Sequence, residues 1–131
     1  MANPDDFLYE YAVVRYVPRV DREEFINIGL VMMCKRRKWL KGKIFLDESR
    51  VRAFDPAVSL PMLEHQASLF MRTDVPAADL PVEERYRWLA AVKSAVLQVS
   101  QSHPGYISDT DGDPETLLCE EFQRLFSLIV E

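Results

Sequence analysis

The spacing of apolar residues changes once along this chain, near Asp47, and this change constrains the fold more than any other feature. Before it, residues 9–17 are rich in tyrosine and valine, and residues 25–34 form an almost unbroken apolar run. Both patterns are typical of strands. Residues 39–46 supply a third predicted strand after a short polar link. We therefore predict an antiparallel three-stranded meander over residues 9–46.

After Asp47 the apolar residues recur at steps of three and four, which is typical of helices. Asp47 is a candidate cap for a short helical turn, and Ser59 with Pro61 marks the start of a longer helix. A third helix is predicted from about residue 80 to residue 99, because helical spacing relates Val82, Tyr86, Leu89, Val92, Val96 and Val99. A last helix is predicted after a capping residue, a first-turn proline and an early acid, at Asp113, Pro114 and Glu115.

Strands that precede helices without alternating with them favour an α+β fold over repeated βαβ units. We expect an antiparallel sheet covered on one face by a C-terminal layer of three or more helices. A chain of 131 residues has the size of one domain. Residues 1–131 are therefore predicted to form a single domain, with a β meander over 9–46 and a helical part over 47–131. Gly29 lies inside the second strand, where glycine predicts a bulge or a close backbone approach.

The sequence indicates a cytoplasmic protein that does not contact a membrane. Its first residues are acidic and lack the basic start and apolar run of a signal peptide. No stretch reaches the roughly 18 apolar residues of a membrane span. The two cysteines, Cys34 and Cys119, have no paired spacing, so we predict free, buried thiols.

No cofactor and no metal are expected. The four glycines are too far apart for a phosphate-binding loop. Residues 109–113 are similar to a calcium loop, yet Pro114 stands where that loop requires glycine at its sixth position. His65 is predicted to lie on a helix surface and His103 at a helix end, and no nucleophile motif accompanies either. The sequence therefore carries no complete catalytic constellation.

The densest positive charge lies in nine consecutive residues that include Lys35, Arg36, Arg37, Lys38, Trp39, Lys41 and Lys43. Such a hairpin can neutralise phosphates while the indole stacks on a base. The alternative is a solvated hairpin tip whose charges keep an edge strand from pairing with other chains. We favour the tip, because the net charge of the chain is −5 whereas nucleic-acid binders are usually basic. The first 52 residues are nevertheless net positive and the remainder net negative, which is a candidate footprint for a partner.

Four polar residues around the first predicted hairpin form a second candidate site: Arg15, Arg22, Glu24 and Asn27. Three of them stand within apolar strands, where an unpaired polar group costs about 1–3 kcal/mol. A short turn places Arg15 opposite Asn27, so we predict that Arg15 makes a cross-hairpin polar contact with Asn27 or Glu24. The structural interpretation is a network that fixes the strand register, and the functional one is an anion-recognition patch with Arg22 at its rim. We favour the structural interpretation.

The same segment carries a family resemblance. Residues 11–31 contain a valine-arginine-tyrosine-x-proline strand and a glutamate-phenylalanine-x-asparagine-isoleucine-glycine strand. This opening resembles that of a bacterial family known as domain of unknown function 3037, and weaker similarity continues through residues 84–89 and in Leu125, Phe126 and Val130. The resemblance implies no activity, catalytic residue or cofactor. Members of the family lie beside genes for kinases similar to the HipA toxin type, which suggests a regulatory protein partner.

Three hypotheses about function follow. The leading one is a non-enzymatic protein-interaction or regulatory domain, with a HipA-like kinase as a candidate partner and a homodimer as a further expectation. The alternative is a nucleic-acid-binding module that uses the basic hairpin 35–43. The third is an enzyme with a polar cleft around Arg15 and Glu24.

Overall fold

The computed structural model describes residues 8–71, 79–91, 96–107 and 112–131. The strands are β1 (Leu8–Tyr16), β2 (Ile26–Cys34), β3 (Trp39–Ile44), β4 (Leu97–Val99) and β5 (His103–Tyr106). The helices are α1 (Glu48–Phe54), α2 (Leu60–Met71), α3 (Val82–Ala90) and α4 (Pro114–Ile129), and a short 3-10 helix at Val20–Arg22 lies between β1 and β2. The predicted α+β class is confirmed, with strands mostly before helices.

The predicted meander is also confirmed. Strands β1, β2 and β3 pair in sequence order and antiparallel, and β4 and β5 share the remaining edge of β1. Ser100 lies where β4 gives way to β5 along this edge. Its N–H donates to the Val13 carbonyl, and its hydroxyl accepts from the Val13 N–H, each at 2.9 Å. A side chain thus completes the hydrogen-bond ladder at the point where the two short strands are offset.

The predicted third helix is wrong in its second half. Helix α3 ends at Ala90, and Leu97–Val99 form strand β4 on the edge of β1. Val92 lies outside the described residues. The spacing of Val96 and Val99 fits a helix equally well, but valine also favours strands, and the edge of β1 presents N–H and C=O groups that need partners. Tertiary pairing therefore outweighed the local pattern.

The sheet is covered on both faces, not on one as predicted. On one face, Leu30 and Met32 of β2 pack with Leu118 and Phe122 of α4. On the other face, α3 packs on the intervening residues of β2, and α1 and α2 pack on the ends of β1 and β2. Because β2 is enclosed from both sides, its residues alternate between two apolar layers, and an unbroken apolar run results.

The predicted helix starts are confirmed. The Asp47 carboxylate accepts from the Arg50 N–H at 3.3 Å and caps α1. The Asp113 carboxylate accepts from the Thr116 N–H at 3.1 Å and caps α4, with Pro114 in the first turn. Both cysteines are free thiols, Cys34 buried and Cys119 partly buried.

Candidate functional site

The two groups of site residues predicted from the sequence lie at opposite ends of β2. We call the first the loop end: it comprises the end of β1, residues 17–25, the start of β2, helix α1 and the C-terminus of α4. We call the second the turn end: it comprises the β2–β3 turn at residues 35–38 and the first turns of α3 and α4. The two ends differ in whether their charged side chains lie beside groups of opposite charge.

At the loop end, Arg15 and Asn27 are cross-strand neighbours, as predicted. The predicted polar contact is wrong, however, since Arg15 bonds to neither Asn27 nor Glu24. The Arg15 guanidinium lies instead over the ring of Phe25, 4.1 Å from its centroid. The buried Arg15 Nε and the buried Asn27 Oδ1 have no hydrogen-bond partner, and the Asn27 Nδ2 donates to the Ile129 carbonyl at 3.4 Å.

Glu24 does not join this group, because β2 begins only at Ile26. Glu24 is exposed and forms an ion pair with Arg22 at 3.0 Å, in which both side chains are more than half exposed. Glu23, just before it, has a positive φ of 54° and turns the chain toward the strand. The polar residues of this segment therefore divide into a surface ion pair and a half-buried pair without mutual contact.

Arg50 is a residue of the loop end that sequence reasoning missed. From α1, its guanidinium donates to the Asn27 carbonyl at 3.2 Å and also to the Val130 carbonyl. It therefore joins α1 and β2 to the end of α4, where unpaired carbonyls and the helix dipole favour a cation. The sequence offers no signal for this role, because the three elements meet only in the tertiary fold.

The predicted irregularity at Gly29 is confirmed in both of its forms. The pairing of β1 and β2 shifts between Val14 and Arg15, which leaves Ile28 as the extra residue of a bulge. A Cβ added to Gly29 would stand 2.7 Å from the Lys43 carbonyl oxygen. The bulge brings Arg15 opposite Asn27 on the face that α4 covers.

At the turn end, Lys35, Arg36, Arg37 and Lys38 are exposed, and the Lys38 N–H closes the turn by donating to the Lys35 carbonyl at 3.1 Å. The rest of the predicted phosphate-binding hairpin packs on α4. Trp39 is half-buried edge-on against Phe122, with ring centroids 6.4 Å apart. The ammonium groups of Lys41 and Lys43 lie over the rings of Phe122 and Phe126, at 5.0 and 4.5 Å from the centroids.

This packing bears on both interpretations of the hairpin. Trp39 is half-buried against Phe122, so part of its surface already packs on α4 and is withdrawn from stacking on a base. Strand β3 forms one edge of the sheet, where lysines are typical protection against pairing with another chain. The geometry therefore favours the solvated, edge-protecting hairpin.

Two grooves place acidic side chains beside the basic turn. One groove of about 500 Å³ is lined by Lys35 and Lys38 together with Asp79 and Glu83 at the start of α3. Another of about 330 Å³ is lined by Arg37 and Lys38 together with Asp113 and Glu115 at the start of α4. Folding thus interleaves the basic and acidic halves of the sequence at this end, and phosphate approaching the turn meets both signs of charge.

A third groove, of about 470 Å³, opens on the α3 face at the turn end and is lined by Leu8, Tyr9, Glu10, Met33, Lys35, Arg36 and Pro104. Leu8 is paired across the strands with Tyr106, and the two side chains are 48% and 63% exposed. We call the exposed apolar surface formed by Leu8, Pro104 and Tyr106, next to the buried Met33, the sheet-end shelf. The sequence pattern gave no sign of it, because β5 was not predicted.

Glu10 lines the same groove as Leu8 and Pro104, and a hydrogen bond to its carboxylate positions the side chain. Its carboxylate accepts from the Ser102 hydroxyl at 3.3 Å, and Ser102 shares a hydrogen bond of 2.8 Å with the Tyr86 hydroxyl of α3. Burial raises the pKa of Tyr86 to about 12, and the charge of Glu10 acts in the same direction. Tyr86 therefore stays protonated at physiological pH and anchors α3 to the sheet.

The two histidines and the calcium-like stretch do not form a catalytic or metal site in the described part of the chain. His65 lies on the exposed surface of α2, as predicted, whereas His103 is the first residue of β5 and packs against Tyr11, not at a helix end. Within the described ranges, no three potential metal ligands cluster, and no helix is long and apolar enough to cross a membrane. Asp109 and Asp111 of the calcium-like stretch lie outside those ranges.

The fold and these two ends define a small α+β domain whose candidate sites are surfaces rather than an enclosed cleft. One protein-family model matches residues 11–124, and its description is Protein of unknown function (DUF3037). Since the match spans most of the chain, the protein belongs to this family, and the resemblance seen in the opening segment is confirmed. No curated protein and no solved structure matches the chain.

Proposed function

We propose that this domain is a non-enzymatic protein-interaction module that binds its partner through the sheet-end shelf. The observation that carries the proposal is the cross-strand pair of Leu8 and Tyr106, two large side chains that stay about half exposed or more, with Leu8 lining a groove. Exposed apolar and aromatic side chains that cluster beside an arginine have the composition of the core of an interface.

Charge complementarity defines the partner surface. Lys35 and Arg36 line the groove together with Glu10, so the partner segment presents apolar side chains to the shelf and carboxylates to its basic side, away from Glu10. It docks on the face of the sheet and does not extend it, because β5 is only four residues long and Pro104 has no N–H to offer a new strand. The family resemblance suggests a HipA-like kinase as the first partner to test, and a second copy of this chain as the next.

The test compares two double variants. Leu8→Ser with Tyr106→Ser removes the apolar rim of the shelf, whereas Met62→Ser with Leu69→Ser removes two similarly exposed residues of α2 and serves as the control. Binding to the purified kinase is measured by calorimetry, and circular dichroism checks the fold of each variant. We expect the shelf variant to bind at least about tenfold more weakly, because Leu8 and Tyr106 are the large exposed side chains of the shelf and truncating a hot-spot residue costs about 2 kcal/mol or more.

The control variant is expected to bind like the parent. Equal binding by the shelf variant and the parent would contradict the proposal. Sedimentation of the protein alone tests the second copy as partner: a dimer that the shelf variant loses and the α2 control keeps would identify self-association as the function of the shelf.

The nucleic-acid alternative has less support. It rests on the exposed turn at residues 35–38, which acidic side chains flank on two sides, and on Trp39, whose ring packs on α4. The enzyme hypothesis required Arg15 and Glu24 to face one cleft. Glu24 instead forms a surface ion pair with Arg22, while Arg15 lies over Phe25.

A further inference from the structure

Arg15 is a half-buried cation whose charge has no counterion in the described part of the chain. The next two arginines in the sequence each have a counterion: Arg19 forms an ion pair with Asp21 at 2.8 Å, and Arg22 forms one with Glu24 at 3.0 Å. No described carboxylate lies within ion-pair distance of Arg15, and its guanidinium lies over the face of Phe25, 4.1 Å from the ring centroid. A charge held partly out of water without an opposite charge destabilises the fold unless something compensates it.

The geometry of the guanidinium is suited to an external ligand. The Arg15 Cζ lies 4.1 Å from the centroid of the Phe25 ring, and of the guanidinium nitrogens only Nε is both buried and unpaired. The terminal Nη groups are therefore the donors for an external ligand, since arginine binds planar oxyanions with two parallel N–H donors. The buried Arg15 Nε and the neighbouring Asn27 Oδ1 remain unpaired, so internal hydrogen bonds do not position the side chain. Buried polar atoms without partners are rare and mark strained or functional positions.

We infer that Arg15, held over Phe25, is a binding site for an oxyanion, a carboxylate or a phosphate group, at the loop end of the domain. Asn27 borders the site as the cross-strand neighbour of Arg15, with its buried Oδ1 unpaired. The site lies at the opposite end of β2 from the sheet-end shelf, so it does not depend on the proposed protein-binding function.

Nuclear magnetic resonance of the whole protein tests the inference directly, because the Nε–H of Arg15 and the side-chain amide of Asn27 give separate signals. The protein is titrated with sodium phosphate, with sodium acetate, and with sodium chloride at matched ionic strength. We expect saturable shifts of the Arg15 and Asn27 signals with phosphate, acetate or both, at millimolar concentrations, and no saturation with chloride. Saturation with phosphate alone identifies a phosphate ligand, and saturation with acetate alone a carboxylate.

Two variants and a control sharpen the result. Arg15→Lys keeps the charge but loses the planar fork, and should abolish saturation. Phe25→Leu keeps an apolar contact but loses the aromatic face, and should weaken binding about threefold to fivefold. Arg52→Lys changes an arginine in a surface ion pair with Glu48 and should bind like the parent.

Shifts in the parent that are no larger with phosphate and acetate than with chloride would overturn the inference, and this result needs no variant to fold. Saturation that survives in Arg15→Lys would overturn it as well. The shelf variant Leu8→Ser with Tyr106→Ser should keep its anion binding, so failure of the protein-binding proposal and failure of this inference are distinguishable.

Discussion

The two ends of the molecule handle charge in opposite ways. The turn end has the densest run of lysine and arginine in the sequence, yet acidic residues at the starts of α3 and α4 line the same grooves. The loop end has fewer cations, but one of them, Arg15, has no described counterion. The comparison teaches that charge density along a sequence is a poor guide to available charge, because folding decides which side chains face each other.

The ends also differ in how well they accommodate a side chain in place of a glycine. This difference gives the largest expected effect on the free energy of unfolding. At Gly29 an added Cβ would meet the Lys43 carbonyl oxygen at 2.7 Å and the Ile44 side chain at 2.8 Å. At Gly105, near the turn end, the three nearest atoms would belong to the ring and hydroxyl of Tyr9, at 2.4 to 2.6 Å. Gly29→Ala should therefore lower the free energy of unfolding by about 3 kcal/mol, because the clash is with the backbone of a paired strand. Gly105→Ala should lower it by about 2 kcal/mol, because the clash is with a side chain, although Tyr9 is buried and donates to Glu121.

Urea denaturation at neutral pH measures both glycine variants. Equal losses for the two would show that the bulge end of the sheet is no more rigid than the opposite edge.

Arg50 provides the second largest effect and is specific to the loop end. Arg50→Met leaves the carbonyls of Asn27 and Val130 without this donor, so the free energy of unfolding should fall by about 2 kcal/mol. The matched control is Arg52→Met on the same helix, which removes only a surface ion pair with Glu48 and should change stability by less than about 0.5 kcal/mol. Thermal and urea denaturation of the two variants decide the matter, and similar losses would refute the bridging role of Arg50.

Alkaline pH should lower the stability of the fold through one buried tyrosine near each end, Tyr16 and Tyr86. Burial raises the pKa of Tyr16, at the loop end, to about 12, with a further contribution from its hydrogen bond to Asp55, and burial raises that of Tyr86 to about 12. The folded protein therefore holds these protons more tightly than the unfolded chain, in which the pKa of tyrosine is about 10. Stability should stay constant with respect to these groups below about pH 10 and fall as the pH rises toward about 12.

Denaturation curves at a series of alkaline pH values measure this loss. Tyr16→Phe and Tyr86→Phe should each flatten the pH dependence, while Tyr106→Phe, which changes an exposed ring, should leave it unaltered. A pH dependence that neither buried variant alters would contradict the assignment.

The smallest expected effect concerns nucleic acid. Replacing Arg36, Arg37 and Lys38 by alanine should leave the fold intact, because exposed charges contribute little to stability. The parent should show no salt-dependent binding of duplex or single-stranded nucleic acid near physiological ionic strength, since acidic side chains lie beside the turn. Micromolar binding by the parent at physiological salt that the triple variant loses would reverse the comparison and make the turn end the functional surface.

Local chemistry in the sequence was sufficient for much of the fold. The meander, the bulge at Gly29 and the caps at Asp47 and Asp113 follow from residues close together in the chain, and all four are confirmed. The position of Arg15 opposite Asn27 also follows, because the apolar patterns of two successive strands leave few registers, although the connection over residues 17–25 includes a 3-10 helix.

Only the tertiary structure decided the rest. Leu97–Val99 became a strand because the edge of β1 needed partners, and the apolar run of β2 became the centre of two layers because helices reached both faces. The contacts of the candidate sites also depend on the tertiary structure. Arg15 lies over Phe25 and does not bond to Asn27, and Arg50 donates to the Val130 carbonyl at the end of α4. Leu8 pairs with Tyr106, which is nearly a hundred residues away in the sequence. One physical reason explains all of these contacts. A side chain or an unpaired strand edge bonds to whichever groups packing brings close to it, whereas the sequence alone determines only which residues are neighbours along the chain.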